Sequence, residues 1–454
     1  MQPYETDDTD TIETVDVAVI GGGLAGLAAA TLLGRAGRTV ALFEKAGKVG
    51  GDAVTQMRDG YTFNLGPHAL YRHGAGIRVL RELGVPFSGK QPLNPPSLLY
   101  QESLRSFWRS GLLGPADMLE IPRVFMALST VKLETIQGIS FQAWLEREVR
   151  SARVRALLAM ITRLVTYANA TEIQSADSVV AQLRIALWNV YYLDNGWQTL
   201  VDGLRDAATR AGVRIYTGVH VAAIEHDDAV RGVRLANGPR YGARAVIMAV
   251  DPKTASALVD GGTEQMLSHW AAEALSIEAA CLDVGLRMLA HSGDTYVLGI
   301  DRPLYLSVHS RSARLAPEGG ALIHVARYLR PGERPDPTTS RRELEKLLDQ
   351  AQPGWREHVV TERFMPHLRV SNAIVTASAG GMAGRPGCEV PSIRNLYIAG
   401  DWVGPQGLLS DASLASAKQA VQRILVQPAE QQASGNGRAE TENTAHMETL
   451  AGKR

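Results

Sequence analysis

The stretch that most narrows what this chain can fold into is VDVAVIGGGLAGLAAATLLGRAGRTVALFE, residues 15–44. Its β-branched start, Val15 to Ile20, reads as a short strand buried on both faces. GGGLAG follows at once and puts Gly21, Gly23 and Gly26 in the G-x-G-x-x-G spacing. Small apolar residues then run through Leu33 to Gly37, as a helix packed closely on a sheet requires, and TVALFE reads as a second strand ending in Glu44. Gly21 permits the tight turn, Gly23 lets a pyrophosphate approach the backbone, and Gly26 lets helix and strand touch. The free N–H groups and the dipole at the helix start face phosphate charge. Glu44, 18 residues after Gly26, can accept hydrogen bonds from a ribose diol. Glycines alone would say little; strand, glycines, helix, strand and terminal acid in this order predict a dinucleotide-binding α/β unit.

The same stretch contains a decoy. Val17 to Gly34 is uncharged and mostly apolar over 18 residues, which a crude rule would read as a membrane span. Four of its five glycines fall in one six-residue window, so strand-turn-helix is the better reading. At 454 residues the chain exceeds one ordinary core, and two domains or an interleaved pair are expected. Its 47 basic and 47 acidic residues balance, so bulk charge points to no nucleic acid. Cys281 and Cys388 are the only cysteines and lie far apart, which excludes a disulfide framework, a zinc cluster and a dithiol centre. A reducing, cytoplasmic setting follows as an expectation. The 11 histidines are scattered, so no metal is expected. The polar start, residues 1–13, reads as a flexible arm without a signal peptide, and residues 427–454 read as a disordered tail.

GGGLAGLAAATLLGRAGRTVALFEKAGKVGGDA resembles the N-terminus of the flavin-dependent amine oxidase and phytoene desaturase superfamily, closer to the phytoene desaturase-like branch. The resemblance implies FAD, with Gly50-Gly51 beside the pyrophosphate or ribityl chain. One position departs: the pattern's arginine is Asp52 here. A carboxylate cannot clamp phosphate, so that contact is lost or comes from Lys45, Lys48 or a distant arginine. NLYIAGDWVGPQGLLSDASLASAKQAVQRIL, residues 395–425, resembles the superfamily's second flavin motif. By that resemblance Gly400 and Asp401 approach the ribityl hydroxyls and the following helix points at the flavin pyrimidine. Ser410 or Asp411 is a candidate N-cap, and Leu414, Ala417, Val421 and Leu425 fall on one face. Residues 195–250 read as a helix, Trp197 to Ala211, and a strand meander; the resemblance places backbone near Val221 against adenine.

The expected architecture is a discontinuous Rossmann-like FAD domain, a parallel sheet plus β-meander, built from residues 14–90, 190–258 and 384–426, with an α+β substrate domain from 91–189 and 259–383. A flavin accepts hydride at N5 from a substrate C–H, leaving geometry and electrostatics to the protein. Amine oxidases of the superfamily commonly carry a lysine near N5, yet none lies between Lys253 and Lys346. Leu408 and Leu409 stand where an aromatic residue of the amine-oxidase pattern would be. These departures favour a desaturase-like enzyme on a lipophilic, prenyl or carotenoid-like substrate. An amine oxidase, a flavin-dependent double-bond isomerase or saturase, and a flavin-bound scaffold are the alternatives. SAGGMAG, residues 378–384, lacks the context of a second fingerprint, so oxygen, a quinone or another carrier would be the electron acceptor. Pocket candidates are His68, Tyr71, Tyr305, His309 and Leu409; His73 and Arg72 share the His68 segment. Each histidine or tyrosine has a bland reading as a satisfied core or loop group. Residues 103–128 mix Trp108, Leu112, Leu113, Met118 and Phe125 with Arg105, Arg109 and Arg123, compatible with peripheral membrane contact or with an amphipathic helix pair.

Overall fold

The computed structural model describes residues 11–92, 95–106 and 111–426. The expected N-terminal arm (through residue 10), the C-terminal tail, Trp108 and Arg109 lie outside the described residues. Two seven-stranded sheets carry the molecule.

In the first sheet the strands Arg214–Thr217, Val40–Glu44, Thr11–Ile20 and Arg240–Met248 lie side by side and parallel. Val40–Glu44 is buried along its whole length, which is why its sequence runs apolar without alternation. The first strand begins at Thr11, earlier than the apolar run suggests, pairing with Arg240 before that run starts. Val230–Leu235 and Val221–His226 then continue antiparallel as the meander. The strand Arg240–Met248 is shared: Arg240 to Gly242 pair with the meander, while Val246 to Met248 pair with Leu396–Ile398 from far along the chain. Helix Leu24–Arg35 packs on this sheet with nearly every residue buried, since alanine and glycine leave the backbones room to close. Helices Gln198–Arg210 and Leu409–Val426 pack beside it.

The last helix corrects two expectations. It starts at Leu409, so Ser410 and Asp411 lie inside its first turn rather than capping it. Asp411 instead turns its Oδ1 to accept from the Gly76 amide at 2.7 Å, satisfying an orphan donor at the start of helix Ala75–Glu82. Leu414, Ala417 and Val421 are buried, but Ile424 completes the stripe while Leu425 is 38% exposed, because the final turn runs past the end of the core.

The second sheet orders Val359–Ser371, Ile277–Leu286, Ala321–Tyr328, Leu304–Val308, Tyr296–Gly299, Ser97–Tyr100 and Ser103–Ser106. Helix Pro337–Ala351 covers one face through Leu344, Leu347 and Leu348. The other face, carrying Ala279, Cys281 and Ala326, turns toward helix Ala152–Thr166 and the first sheet. No helix among the described residues is long and apolar enough to cross a membrane.

Candidate flavin site

A cavity of about 800 Å³ lies where the two sheets meet. Its floor is the glycine turn. Gly21 has φ +102°, and a Cβ there would sit 2.4 Å from the Ala249 carbonyl oxygen. A Cβ on Gly26 would lie 1.9 Å from the Gly21 carbonyl oxygen, so helix and turn can touch only without it. Gly23 differs: a Cβ there would meet nothing nearer than the Gly51 Cα at 4.0 Å. That glycine leaves open space above the helix start, where phosphate oxygens can reach amide donors. Gly50 donates to the Gly22 carbonyl at 2.8 Å, which lays the Gly50-Gly51 turn against the first one.

Glu44 is buried at its strand end. Its Oε2 accepts from the Gly22 amide at 2.7 Å and its Oε1 from the Ala46 amide at 2.8 Å, which holds the carboxylate at the cavity wall with lone pairs to spare. Asp401 is oriented in the same manner: Oδ2 accepts from Ser371 Oγ at 2.7 Å and the Asn372 amide at 2.8 Å, and Oδ1 from Asn372 Nδ2 at 2.8 Å. Lys45, Asp52, Val221, Gly400 and Leu409 also line the cavity. Lys48 and Leu408 lie off its wall. An open floor above Gly23, a fixed acid at the strand end and a second fixed acid after Leu396–Ile398 together fit a dinucleotide.

His68 lines the cavity through the Gly66-Pro67 turn, where Gly66 has φ +73° and lies so close to Leu368 that a Cβ would be 2.8 Å from it. Its Nδ1 is 3.2 Å from the Gly66 carbonyl oxygen and its ring meets Trp197 edge-on at 4.9 Å. Burial pushes the His68 imidazole down to about 4, so it is neutral at neutral pH. The other polar candidates stand elsewhere. Tyr71 is buried off the cavity with its hydroxyl donating to the Val165 carbonyl at 2.8 Å. Tyr305 and His309 do meet, hydroxyl to Nε2 at 3.1 Å, but inside the protein, with His309 stacked on Tyr192 at 3.8 Å. Arg72 sits over the Tyr191 ring at 5.3 Å, and His73 lies 5.0 Å from the Trp188 ring.

Other groups were not anticipated. Asp251, Lys253 and Thr254 line the cavity at the start of helix Pro252–Ala257, where Asp251 accepts from the Thr254 amide and hydroxyl at 3.1 and 2.6 Å. The Asp-Pro pair after the strand Arg240–Met248 was the available signal for that cap. Arg369, on the second sheet, lines the cavity with no sequence signal at all. One row of that sheet holds Arg363, Asp283 and His324 in register, with Asp283 accepting from both partners at 2.6 Å. Burial would raise the Asp283 carboxyl, but His324 and Arg363 outweigh it and hold the group below its ordinary range. This row sits on the same sheet face as Cys281 and Ala326, one pleat beyond the cavity wall. Among the described residues no group of three metal-binding side chains forms.

Comparison with known proteins agrees with this geometry. A family described as "Flavin containing amine oxidoreductase" matches residues 24–277. The chain is 23% identical over 280 residues to a 4,4'-diaponeurosporene oxygenase of Staphylococcus haemolyticus, covering 51% of this chain and 54% of that one. It is 24% identical over 274 residues to the lycopene-forming phytoene desaturase of Pantoea ananas, covering 51% and 55%. The matched part thus spans about half the length of these curated relatives. An oxidoreductase crystal structure from Methanosarcina mazei shares the fold, with a TM-score of 0.70 at 19% identity, covering 92% of this chain and 100% of that one.

Proposed function

We propose, for a chain that belongs to the flavin containing amine oxidoreductase family and whose cofactor is FAD, a dehydrogenase or desaturase acting on a C–H bond of a lipophilic substrate. The observation that carries this reading is the second-sheet wall of the cavity. Ala279, Cys281, Ala326, Leu368 and Val370 present small or apolar side chains there, Arg369 is the one charged residue that sheet adds to the wall among the described residues, and no lysine occurs between Lys253 and Lys346. Such a wall suits a hydrocarbon better than an ammonium group, which needs paired charge when desolvated. The named activities of the two curated relatives on carotenoid-type molecules support the same substrate class.

When bound, the flavin supplies a two-electron acceptor for a hydride leaving the substrate. The chain's own contribution is binding and exclusion of water. The first sheet with its glycine turns, Glu44 and Asp401 holds the cofactor, and the segments 91–189 and 259–383 shape the substrate side. Gly66 and Pro67 press the His68 segment against the second sheet, and the Tyr167 hydroxyl donates to the Pro67 carbonyl at 3.0 Å to hold it. His68, neutral and facing its own backbone, serves as a wall of the pocket rather than as a charged group.

A membrane surface as the source of substrate is part of the same reading. Helix Pro115–Thr130 turns outward Met118 at 58%, Leu119 at 81%, Phe125 at 47% and Met126 at 67% exposure, an apolar stripe that supports contact with lipid. Replacing Leu119 and Phe125 by serine should abolish flotation with lipid vesicles while leaving bound flavin unchanged; flotation equal to wild type would remove the membrane from the scheme. The activity is tested by anaerobic mixing with a polyene hydrocarbon and, separately, with primary amines. Bleaching of the flavin by the polyene, with a product lighter by two hydrogens, is expected. Bleaching by amines alone identifies an amine oxidase, a product of unchanged mass an isomerase, and no bleaching by either a scaffold.

A further inference from the structure

The charges around the cavity are not spent evenly. Glu44, Asp52, Asp251 and Asp401 face it with carboxylates, and Lys45, Lys253 and Arg369 with cations. Three of the acids have dedicated donors: backbone amides for Glu44, the Thr254 amide and hydroxyl for Asp251, and the 371–372 segment for Asp401. The Asp52 carboxylate accepts no hydrogen bond from a described residue, and the Arg369 guanidinium makes neither a hydrogen bond nor an ion pair with one. An unpaired carboxylate and an unpaired guanidinium therefore face the same space from opposite sheets.

Their positions say what belongs between them. Asp52 follows Gly51, and Gly51 lies against Gly23, with its would-be Cβ 3.2 Å from the Gly23 Cα. The spot beside Asp52 is thus the opening that Gly23 leaves, where the helix start offers its amides to phosphate. Enclosure by the cavity walls pushes the Asp52 carboxyl up; Arg369 opposes this, while Asp401 and Asp251 add to it. Arg369 lines the same cavity from the strand Val359–Ser371, two residues before the 371–372 segment that holds Asp401. Lys45 is one residue past Glu44, at the ribose end, and Lys253 sits in the first turn of helix Pro252–Ala257. A planar guanidinium also matches phosphate oxygens two at a time, which an ammonium does not.

We propose that Arg369 is the cation that holds the FAD pyrophosphate in this chain, reaching it from the second sheet, and that Asp52 across the cavity weakens that hold. The cofactor is then gripped by both sheets, and position 52 tunes how tightly. The assignment rests on the flavin reading above.

The test uses full-length protein stripped of flavin and titrated with FAD, and with riboflavin, which lacks the pyrophosphate. Losing a charged hydrogen-bond pair should cost Arg369→Gln roughly 10- to 100-fold in FAD affinity and leave riboflavin unchanged. Arg369→Lys, which keeps the charge without the fork, should fall between. Asp52→Asn should bind FAD more tightly than wild type, and Asp52→Arg combined with Arg369→Gln should regain most of the lost affinity. FAD affinity unchanged in Arg369→Gln, or FAD and riboflavin weakened equally in both Arg369 variants, would overturn the assignment. Weaker FAD binding by Asp52→Asn would overturn the role given to Asp52. Wild-type apoprotein that takes up no FAD would overturn the flavin reading itself, and the assignment with it.

Discussion

Gly26 and Arg369 mark the two ends of what single residues disclose. The fingerprint glycines were legible because their reasons are local: a Cβ at Gly26 would strike the Gly21 carbonyl oxygen five residues earlier at 1.9 Å. Gly26→Ala should therefore shift the turn, lower stability by about 1–3 kcal/mol and yield protein purified without flavin colour, which absorbance and a denaturant melt would check. Arg369 could not be found this way, since its partners are set by how two sheets meet. Asp411 shows a third case, correctly singled out but assigned the wrong helix. Its Oδ2 has no partner, and burial pushes the carboxyl up to about 6. A carboxyl raised in the folded state binds its proton there first, so its ionisation destabilises the native form as pH rises from about 4 to 6. Asp411→Asn keeps an acceptor for Gly76 and removes that loss. Wild type should lose about 2 kcal/mol relative to this variant between pH 4 and 6, the slope reaching at most ~1.4 kcal/mol per unit; parallel pH–stability curves would refute it.

At the scale of elements, alternation and β-branched runs located the strands around the glycine turn and the meander, whereas Ile277–Leu286 and Val359–Ser371, and all register and faces, stayed hidden. The strand Ala321–Tyr328 carries nothing in its sequence to say that His324 would meet Asp283 and, through it, Arg363 on a third strand. That row buries a formal charge pair in the sheet, so removing one member leaves the other without compensation. Asp283→Ala should cost about 3–5 kcal/mol in chemical denaturation, much more than Glu102→Ala, which breaks an exposed pair with Lys346 and Arg302. Similar losses in the two variants would show the row to be solvated. The last helix was misjudged by two residues at its start because Leu409 enters it at φ +56°, a conformation that side chains give no hint of.

For the whole molecule, the cavity draws walls from both sheets, so filling it should stabilise them together. Ligand present at 100 times its dissociation constant adds about 2.7 kcal/mol to folding. FAD-loaded protein should melt several degrees above the stripped protein in one transition; two transitions, with only one moved by FAD, would mean that the sheets unfold independently. The sequence expectation of an interleaved pair came from motifs at both ends of the chain, whereas the line along which the two sheets face each other depends on packing that no motif encodes.

The shared strand Arg240–Met248 has a consequence for how the protein is made. Its upper half waits for Leu396–Ile398, and those residues lead directly into Gly400 and Asp401. A ribosome working from the N-terminus releases the glycine turn early and this closing strand some 370 residues later. Until then the edge of Val246 to Met248 is unpaired and open to wrong partners. Completion of the cavity therefore waits for a segment made long after the glycine turn, and the edge it covers stays open to mispairing until that segment arrives.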